Sequence, residues 1–394
     1  MDFRVFILAI STITVGLVEL IVGGILPVIA DDLNVTIGTA GQLITIYALI
    51  FAIAGPVLLS LTAKVERKKL YLLTISVFIA GNIMTYFSPT FTFVMIARII
   101  TSMSAALLIV LSLTITARIV DAPHRAKALG YIIMGISSSL VLGVPLGILI
   151  TNAFGWRSVF LGIAVLSIGS FILISIFLEK VPTGEVQPLS VQIKSLANKK
   201  IVFAHLATMF MLAGHYTVYA YLTPFLEMNF NLNQYWISIC YFLFGIAAVG
   251  GGALGGNLAN WIGSKKSILV IIGAFALILF ILPYSIFSFP FFIVILMFWG
   301  TLSWALAPPQ QDYIIETDPA TSDIHQSLNN SALQVGIAMG SGIGGLVLGY
   351  TDSVKNMPIV GAGVVVIAFI CAVVSLSMVT GKARRTKETQ VDYR

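Results

Sequence analysis

The chain of 394 residues is 58% hydrophobic and only 10% charged, with a formal net charge of +6. Soluble globular proteins carry about 25% charged residues, so this composition excludes a soluble enzyme, a nucleic-acid-binding domain and a disordered chain. The charged residues cluster, and the apolar runs between clusters reach the ~20 residues that a helix needs to cross a bilayer. The composition therefore predicts an all-α polytopic membrane protein.

Apolar runs between turn and charge signals predict twelve transmembrane helices. The first run is longer than the apolar core of a signal peptide, about 7–15 residues, and it carries Glu19 in its middle. We therefore interpret it as the first span of the mature protein. The expected bounds are 4–30, 38–63, 70–87, 91–119, 127–152, 157–178, 201–226, 235–260, 266–286, 289–312, 327–350 and 357–380.

The basic residues predict that both termini are cytoplasmic. With the N-terminus inside, 19 of the 22 Lys and Arg residues lie in cytoplasmic segments, whereas Arg157 and Lys355 lie outside and Arg98 lies within span 4. Since Lys and Arg accumulate on the cytoplasmic side of membrane proteins, this bias fixes the orientation. One cytoplasmic loop departs from it, because residues 316–325 contain acids and no Lys or Arg.

The sequence also predicts two six-helix bundles related by an internal repeat. The loop at 59–69, after span 2, has a counterpart at 256–266, after span 8. Internal repeats are the way in which many secondary transporters build a central site. The predicted segments are an N-terminal bundle (1–178), a cytoplasmic linker (179–200), a C-terminal bundle (201–380) and a basic cytoplasmic tail (381–394).

Glu19 and Arg98 are the two charges that lie well inside the spans of the first half. An intramembrane charge costs roughly 2.5–3.5 kcal/mol on insertion scales, so its default interpretation is functional. A carboxyl group that feels both desolvation and a neighbouring cation can change protonation near neutral pH. We therefore expect Glu19 to carry a coupled proton and Arg98 to adjust its affinity for that proton. The alternative is a structural ion pair that holds two helices together.

Polar and aromatic side chains in the later spans predict a site for a planar, hydrogen-bonding molecule. His215 and Tyr219 share a helix face, and Trp304 lies away from the membrane interfaces where Trp is expected. Asn330 and Gln334 are also four residues apart. The alternative is a buried histidine with an aromatic packing stripe, and hydrogen bonds between helices. The candidates are His215, Tyr216, Tyr219, Trp304, Asn330 and Gln334, with Gln42 and Tyr47 as weaker ones.

Sequence patterns for other chemistry are missing. No phosphate-binding G-x-x-x-x-G-K-[ST] segment occurs, and no His, Cys, Asp or Glu spacing suits a metal. Cys240 and Cys371 are isolated, and His205 is expected to be structural. We therefore expect no enzyme activity, no cofactor, no metal and no nucleic-acid partner.

The loop after span 8 resembles the motif G-x-L-a-D-r-x-G-r-k of the major facilitator superfamily. Gly256, Gly263 and Lys265 match this motif, whereas Asn260 replaces its acid. The resemblance extends over the whole chain and implies the major facilitator fold, with a central cavity lined by spans 1, 4, 7 and 10.

The loop after span 2 is similar to a degraded copy of that motif. It keeps Lys64, Arg67 and Lys68, but Ala63 stands at the acid position and Glu66 at the glycine position. The gating ion pair that the family builds on the acid is therefore not expected here.

Parts of the first half resemble proton-coupled efflux antiporters, the drug:H+ antiporter-1 type of the superfamily. Gly143, Pro145 and Gly147 are similar to the Gly/Pro antiporter motif of span 5, and residues 19–27 to a segment of sugar and drug exporters. Arg98 stands at the position of the family's span-4 arginine. The resemblance implies export driven by exchange for protons.

Residues 215–221, 302–311 and 329–336 closely resemble Gram-positive purine base and nucleoside efflux pumps. This resemblance implies a monomer in the bacterial cell membrane that exchanges purine bases, nucleosides and their toxic analogues for protons. A multidrug or sugar efflux antiporter is the alternative on the same frame. An uncoupled channel or facilitator is the alternative of another class, although a titrating Glu19 inside the membrane favours coupling.

Overall fold

The structure is a computed structural model that describes residues 3–183, 192, 195–351 and 353–378. These residues contain no strand, and twelve of their helices are long and apolar enough to cross a membrane, which confirms the prediction. The helices are α1 (Phe3–Gly24), α2 (Ile37–Leu61), α3 (Arg67–Tyr86), α4 (Phe91–Ile119), α5 (Lys127–Phe154), α6 (Trp156–Phe177), α7 (Lys199–Tyr219), α8 (Gln234–Ile262), α9 (Ser264–Phe287), α10 (Phe289–Thr317), α11 (Ile324–Thr351) and α12 (Val354–Ser377). Much of the predicted linker (184–191 and 193–194) and the basic tail (381–394) lie outside the described residues.

Short polar side chains begin several of these helices. Thr36 accepts a hydrogen bond from the backbone N–H of Thr39 at 3.0 Å at the start of α2, and Asn233 accepts one from Trp236 at 3.1 Å at the start of α8. The first N–H groups of a helix have no partner inside the helix, so such N-caps satisfy them. The sequence thereby fixes where these spans begin.

The first and seventh spans are shorter than predicted because both break near one membrane face. The segment 4–30 is not one helix: α1 ends at Gly24, and a short helix, Leu26–Asp32, follows it. In the same way α7 ends at Tyr219 and is followed by the short helix Leu222–Phe230. Pro27 and Pro224 lie in the short helices, and a proline removes an N–H donor and clashes with the carbonyl four residues before it.

Two further spans are interrupted near prolines. In α5 a π-helical turn, Ser139–Gly143, precedes Pro145, and in α10 the helix Phe289–Ala305 is separated by Leu306 from the helix Ala307–Thr317. The sequence signals both interruptions through proline, although it does not show how the backbone adjusts around each one.

Helix packing in the first half recurs in the second half. In the first half α1 packs against α5 and α6, and α4 packs against α2 and α3. In the second half α7 packs against α11 and α12, and α10 packs against α8 and α9. Adding six to each helix number thus reproduces the pairs, which supports the predicted duplication. The exact domain bounds stay a prediction.

The two halves meet through α2 against α11 and α5 against α8. We call the membrane end at which the chain begins the near end, and the opposite one the far end. At the far end the backbones of α2 and α11 approach so closely that a Cβ on Gly38 would lie 3.0 Å from the Gly345 carbonyl oxygen. Nearer the middle of the membrane, a Cβ on Gly245 of α8 would lie 2.7 Å from Cα of Val141 in α5.

The interface between the halves opens toward the near end. Gly252 and Gly256 share the face of α8 that carries Gly245, because seven and eleven residues are close to whole numbers of helical turns. A Cβ at either position would meet nothing within 4 Å. Helices α5 and α8 are therefore in contact at the level of Gly245 and diverge beyond it.

Candidate functional site

The Glu19 carboxylate joins the two halves of the molecule. Its Oε1 accepts a hydrogen bond of 2.8 Å from Nε2 of Gln334, so α1 is linked to α11. Gln334 is 4% exposed, and its own Oε1 is buried without a hydrogen-bond partner. The Glu19 carboxyl group lies close enough to three further side chains for its charge to interact with them, namely Tyr47, Arg98 and Tyr216.

Arg98 is buried beside this carboxyl group but is held by other partners. Its Nη1 donates to the Val18 carbonyl oxygen at 2.8 Å, its Nε donates to the Leu43 carbonyl oxygen at 3.4 Å, and its guanidinium carbon lies 4.0 Å from the centre of the Tyr47 ring. Its Nη2 has no hydrogen-bond partner. Within the described part of the chain Arg98 forms no ion pair with Glu19. Arg98 is therefore held next to Glu19 by backbone carbonyl oxygens and the Tyr47 ring, and its role in the site stays a prediction.

The broken ends of α1 and α7 touch each other at the far end. Thr223 Oγ1 donates to the carbonyl oxygens of Gly23 at 3.1 Å and of Gly24 at 3.0 Å. Pro27 cannot donate the helical hydrogen bond that the Gly23 carbonyl would otherwise accept. The break in α1 therefore frees the Gly23 carbonyl oxygen, and Thr223 of the second half binds it. This contact closes the far end, on the far side of Glu19.

His215 is buried in an aromatic cluster inside the second half. Its Nδ1 accepts a 3.0 Å hydrogen bond from the indole N–H of Trp299, and its ring stacks on Tyr219 and Phe244 with centroids 5.1 Å and 6.1 Å away. A ring nitrogen that accepts belongs to a neutral imidazole. Trp299 was not among the predicted site residues, although a tryptophan inside span 10, away from both interfaces, was the available signal.

The remaining predicted binding residues are divided between several environments. Tyr216, Trp304 and Gln42 are half-buried, whereas Asn330 is exposed although it lies one turn from the buried Gln334. The neighbouring Asn329 instead makes the helix contact, because its Oδ1 accepts a 2.9 Å hydrogen bond from Thr208. The structure therefore brings Glu19, Arg98, Tyr47 and Gln334 together and leaves Asn330 apart.

The Gly/Pro segment of α5 packs between the halves. A Cβ on Gly143 would lie 2.9 Å from the Leu17 side chain, and one on Gly147 would overlap Ile21, so both glycines let α1 approach. The Pro145 carbonyl oxygen accepts a 3.0 Å hydrogen bond from Ser238 of α8. This segment therefore contacts the helix that carries Glu19 and also the other half.

The basic loop after α8 ends in a left-handed glycine. Gly263 has φ 83° and terminates the helix, a conformation that a side chain would strain. Ser264 then donates to the Asp312 carboxylate of α10, while Asn260 and Lys265 are exposed. Asn260 stands at the acid position of the motif and has no carboxylate. The carboxylate that binds this loop is instead that of Asp312 in α10.

The basic loop after α2 binds the chain that leaves α6. The Glu66 carboxylate accepts hydrogen bonds from the backbone N–H groups of Lys68 and Lys69, both at 2.8 Å, and of Val181 at 2.7 Å. Lys68 Nζ donates to the Ser175 carbonyl oxygen at 2.8 Å. Arg67 is buried and donates to carbonyl oxygens of its own loop, whereas Lys64 is exposed.

Replacing Glu66 with Ala is expected to destabilise this near-end attachment. Burial alone would raise the pKa of the Glu66 carboxyl, but the three N–H donors hold its pKa below the usual value. Such a group stabilises the fold above its unfolded-state pKa, about 4.3, and the contribution is lost as pH falls through its lower folded-state pKa. At pH 7 the loss of an N-cap costs about 1 kcal/mol.

Thermal unfolding of the purified protein checks this expectation. The difference between wild type and Glu66→Ala should be present at pH 7 and should shrink below about pH 4.3. Glu179→Ala is the control, because Glu179 is 86% exposed in its 3.5 Å ion pair with Arg4 and such pairs contribute little. An equal loss in both variants would assign no special role to Glu66.

Comparison with known proteins agrees with this architecture. The family model for the Major Facilitator Superfamily matches residues 8–323. The chain is 34% identical over 370 residues to the MFS-type transporter YbcL of Bacillus subtilis (strain 168), covering 94% of this chain and 95% of YbcL. It is 28% identical over 362 residues to a probable sugar efflux transporter of Mannheimia succiniciproducens, covering 91% and 90% of the two chains.

The fold is also similar to a bacterial homologue of the human lysosomal transporter Spinster, solved in an inward-facing, occupied conformation. The TM-score is 0.77 at 14% sequence identity, and the match covers 94% of this chain and 96% of that one. The chain belongs to the major facilitator superfamily. It is therefore a multi-pass membrane transporter of small-molecule substrates and not an enzyme, as the motifs predicted.

Proposed function

We propose that this transporter is a proton-coupled exporter of small planar molecules, with purine bases, nucleosides and their toxic analogues as substrates. The observation that carries the proposal is the hydrogen bond between Glu19 and Gln334, which joins a titratable group of one half to the other half. The basic residues support a cytoplasmic location for both termini, so the near end would face the cytoplasm of a bacterial cell. A monomer is sufficient for this mechanism.

Protonation of Glu19 changes the bond between the halves. A carboxylate accepts a charge-assisted hydrogen bond that is roughly twice as strong as a neutral one. When Glu19 is protonated, its bond to Gln334 weakens, so the arrangement with a closed far end is favoured by the unprotonated form. Proton binding thus shifts the equilibrium between two arrangements of the halves, which is what coupling requires.

The predicted binding residues suit an uncharged aromatic ligand. Tyr216 and Trp304 are half-buried and offer ring faces for stacking. The buried Oε1 of Gln334 and hydroxyl of Tyr47 have no hydrogen-bond partners, and leaving such groups unpaired costs roughly 1–3 kcal/mol each. A planar base that carries both hydrogen-bond donors and acceptors can pair with these two groups. The charges of Arg98 and Glu19 would offset each other, so the net charge of the site would be close to zero.

Sugar efflux is the second candidate function. It is favoured by the relative from Mannheimia succiniciproducens, whose name is that of a probable sugar efflux transporter. A sugar presents hydroxyl groups in place of a flat ring, so it would depend on Gln42 and Gln334 more than on the aromatic side chains. The two functions therefore differ in which substitutions impair transport.

Uptake into inverted membrane vesicles tests the proposed function. With an acidic lumen, radiolabelled hypoxanthine should accumulate, and a protonophore should abolish the accumulation. Labelled hexoses and a lipophilic cation, supplied at the same concentration, should not accumulate. Accumulation of a hexose alone would favour the sugar alternative, and accumulation of the cation alone would favour the multidrug alternative. Purine uptake that is unchanged by the protonophore would indicate an uncoupled facilitator.

Substitutions of Trp304 distinguish stacking from general packing. Trp304→Ala should lower the initial rate of purine uptake by about fivefold to tenfold, because one aromatic contact contributes about 0.5–1.5 kcal/mol beyond its buried area. Trp304→Phe keeps a ring face and should lose less than half of the rate. The matched control is Trp261→Ala, since Trp261 is exposed at the end of α8. Equal losses in Trp304→Ala and Trp304→Phe would contradict a stacking role.

A further inference from the structure

Two buried histidines meet near the start of α7 and α11, at the near end. The rings of His205 and His325 lie with centroids 5.8 Å apart. Both side chains are buried, and His325 is fully so at 0% exposure. The proposed function uses neither of them, and Glu19 lies much farther along its own helix.

Three of the four ring nitrogens in this pair have no hydrogen-bond partner. They are Nε2 of His205 and both nitrogens of His325. The remaining nitrogen, Nδ1 of His205, lies 3.3 Å from Oδ1 of Asn329. Buried imidazole nitrogens without partners are costly and call for a physical reason.

A carboxylate lies beside the pair in the loop that connects α10 to α11. Oδ2 of Asp318 is 3.7 Å from Nε2 of His325, a distance at which an ion pair forms once the ring is protonated. Asp318 is also held by the hydroxyl of Thr321, which donates to the same oxygen at 2.8 Å. This loop is the near-end segment in which the sequence has acids and no Lys or Arg.

The described charged and titratable groups that face the two rings are each other and Asp318. On α7, the ammonium of Lys200 lies 5.6 Å from the Tyr313 ring, on another side of that helix. From α10, Gln310 is neutral and donates to the Ala204 carbonyl oxygen at 2.7 Å. Among the described side chains the cluster therefore holds one anion, Asp318, for two rings that can each accept a proton.

We propose that His205, His325 and Asp318 form a second proton-binding site, separate from Glu19, that sets the balance between the two arrangements of the halves from the near end. Histidine is suited to this role because its charge changes between about pH 5 and 8. The ligand is a proton, because two imidazole rings beside one carboxylate can gain and lose protons.

The geometry gives the direction of the effect. One proton on His325 would be offset by Asp318, whereas a second proton on His205 would place two cations side by side in a buried contact with one carboxylate. Acid therefore disfavours the present packing of α7 against the start of α11. Since α11 also carries Gln334, loss of that packing weakens the arrangement in which the near end is open.

Pulsed electron paramagnetic resonance on full-length protein in lipid nanodiscs tests the site. Spin labels are placed by Leu61→Cys on α2 and Trp261→Cys on α8, two exposed near-end positions in different halves, with Cys240 and Cys371 changed to Ala. All samples carry Glu19→Gln, so that the proposed coupling residue contributes no pH dependence. The ratio of long to short label distances is then measured from pH 5.5 to 8.

The ratio of long to short distances is expected to fall as the pH drops below about 6.5, the usual pKa of histidine. A difference of one pKa unit between the two arrangements would lower the ratio by about fivefold at pH 5.5. His325→Gln should remove this response, whereas the exposed His124→Gln should retain it. Asp318→Asn should move the midpoint to lower pH, a change that a merely structural role would not produce, and this variant keeps both histidines if His325→Gln fails to fold.

Two outcomes would overturn the second site. One is a ratio that does not depend on pH once Glu19 is replaced, which would leave the coupling role of Glu19 intact. The other is an unchanged pH response in His325→Gln together with an unchanged midpoint in Asp318→Asn. Because every sample carries Glu19→Gln and no substrate is added, failure here is distinguishable from failure of the proposed transport function.

Discussion

Glu19→Gln is expected to abolish purine accumulation driven by a pH gradient in inverted vesicles. Glutamine keeps an acceptor for the Gln334 amide, so the 2.8 Å link between the halves can remain, but the group can no longer bind or release a proton. Exchange of labelled for unlabelled purine across the membrane needs no net proton movement and should continue. The expected result is therefore lost accumulation together with retained exchange.

Glu227→Gln is the matched control for this variant. Glu227 is a second partly buried carboxylate, in the short helix after α7, and its Oε1 accepts a 3.2 Å hydrogen bond from Gln234. It lies outside the contact between Glu19 and Gln334, so gradient-driven accumulation should persist. If Glu19→Gln accumulates purine as well as wild type does, the carboxyl group is not the coupling residue.

Gly255→Ala in α8 is expected to cause a large loss of stability. A Cβ at Gly255 would overlap the Ala305 carbonyl oxygen and lie 2.8 Å from the carbonyl carbon, which are backbone atoms that cannot turn away. Overpacking usually costs about 1–3 kcal/mol, and a clash with helix backbone belongs at or above the upper end of that range. The thermal unfolding temperature of the purified protein reports the loss.

The neighbouring Gly256→Ala provides the control for this substitution. A Cβ there would meet nothing within 4 Å, and replacing glycine by alanine in a helix is neutral or stabilising by about 0.4–1 kcal/mol. The unfolding temperature should therefore stay level or rise. Equal destabilisation of the two variants would mean that α8 and α10 are not in close contact.

The twelve spans were predictable because each needs about 20 apolar residues in an uninterrupted stretch. The breaks after Gly24 and Tyr219 were missed, although Pro27 and Pro224 stand beside them. Proline is tolerated within membrane helices when neighbouring groups satisfy the freed backbone. Here that group is Thr223, which comes from the other half of the chain, and no local pattern reveals such a partner.

The sequence identified the residues of the candidate site, but it did not show which of them bind to each other. Glu19 and Gln334 both attract attention as polar groups inside spans, yet their hydrogen bond depends on how two separately packed halves approach each other. The contact of Asn329 with Thr208, with Asn330 exposed beside it, likewise depends on the rotation of α11. A helical period identifies which residues share a face and does not identify which neighbour that face meets.

Proton release on substrate binding tests the central claim most directly. Purified wild-type protein in weakly buffered detergent solution near neutral pH is mixed with hypoxanthine, and the change in pH is followed with an indicator dye. Exchange of substrate for protons at Glu19 predicts that wild type releases protons in a saturable manner, whereas Glu19→Gln binds substrate and releases none. Saturable binding of hypoxanthine by wild type without proton release, or equal release by Glu19→Gln, would contradict the account.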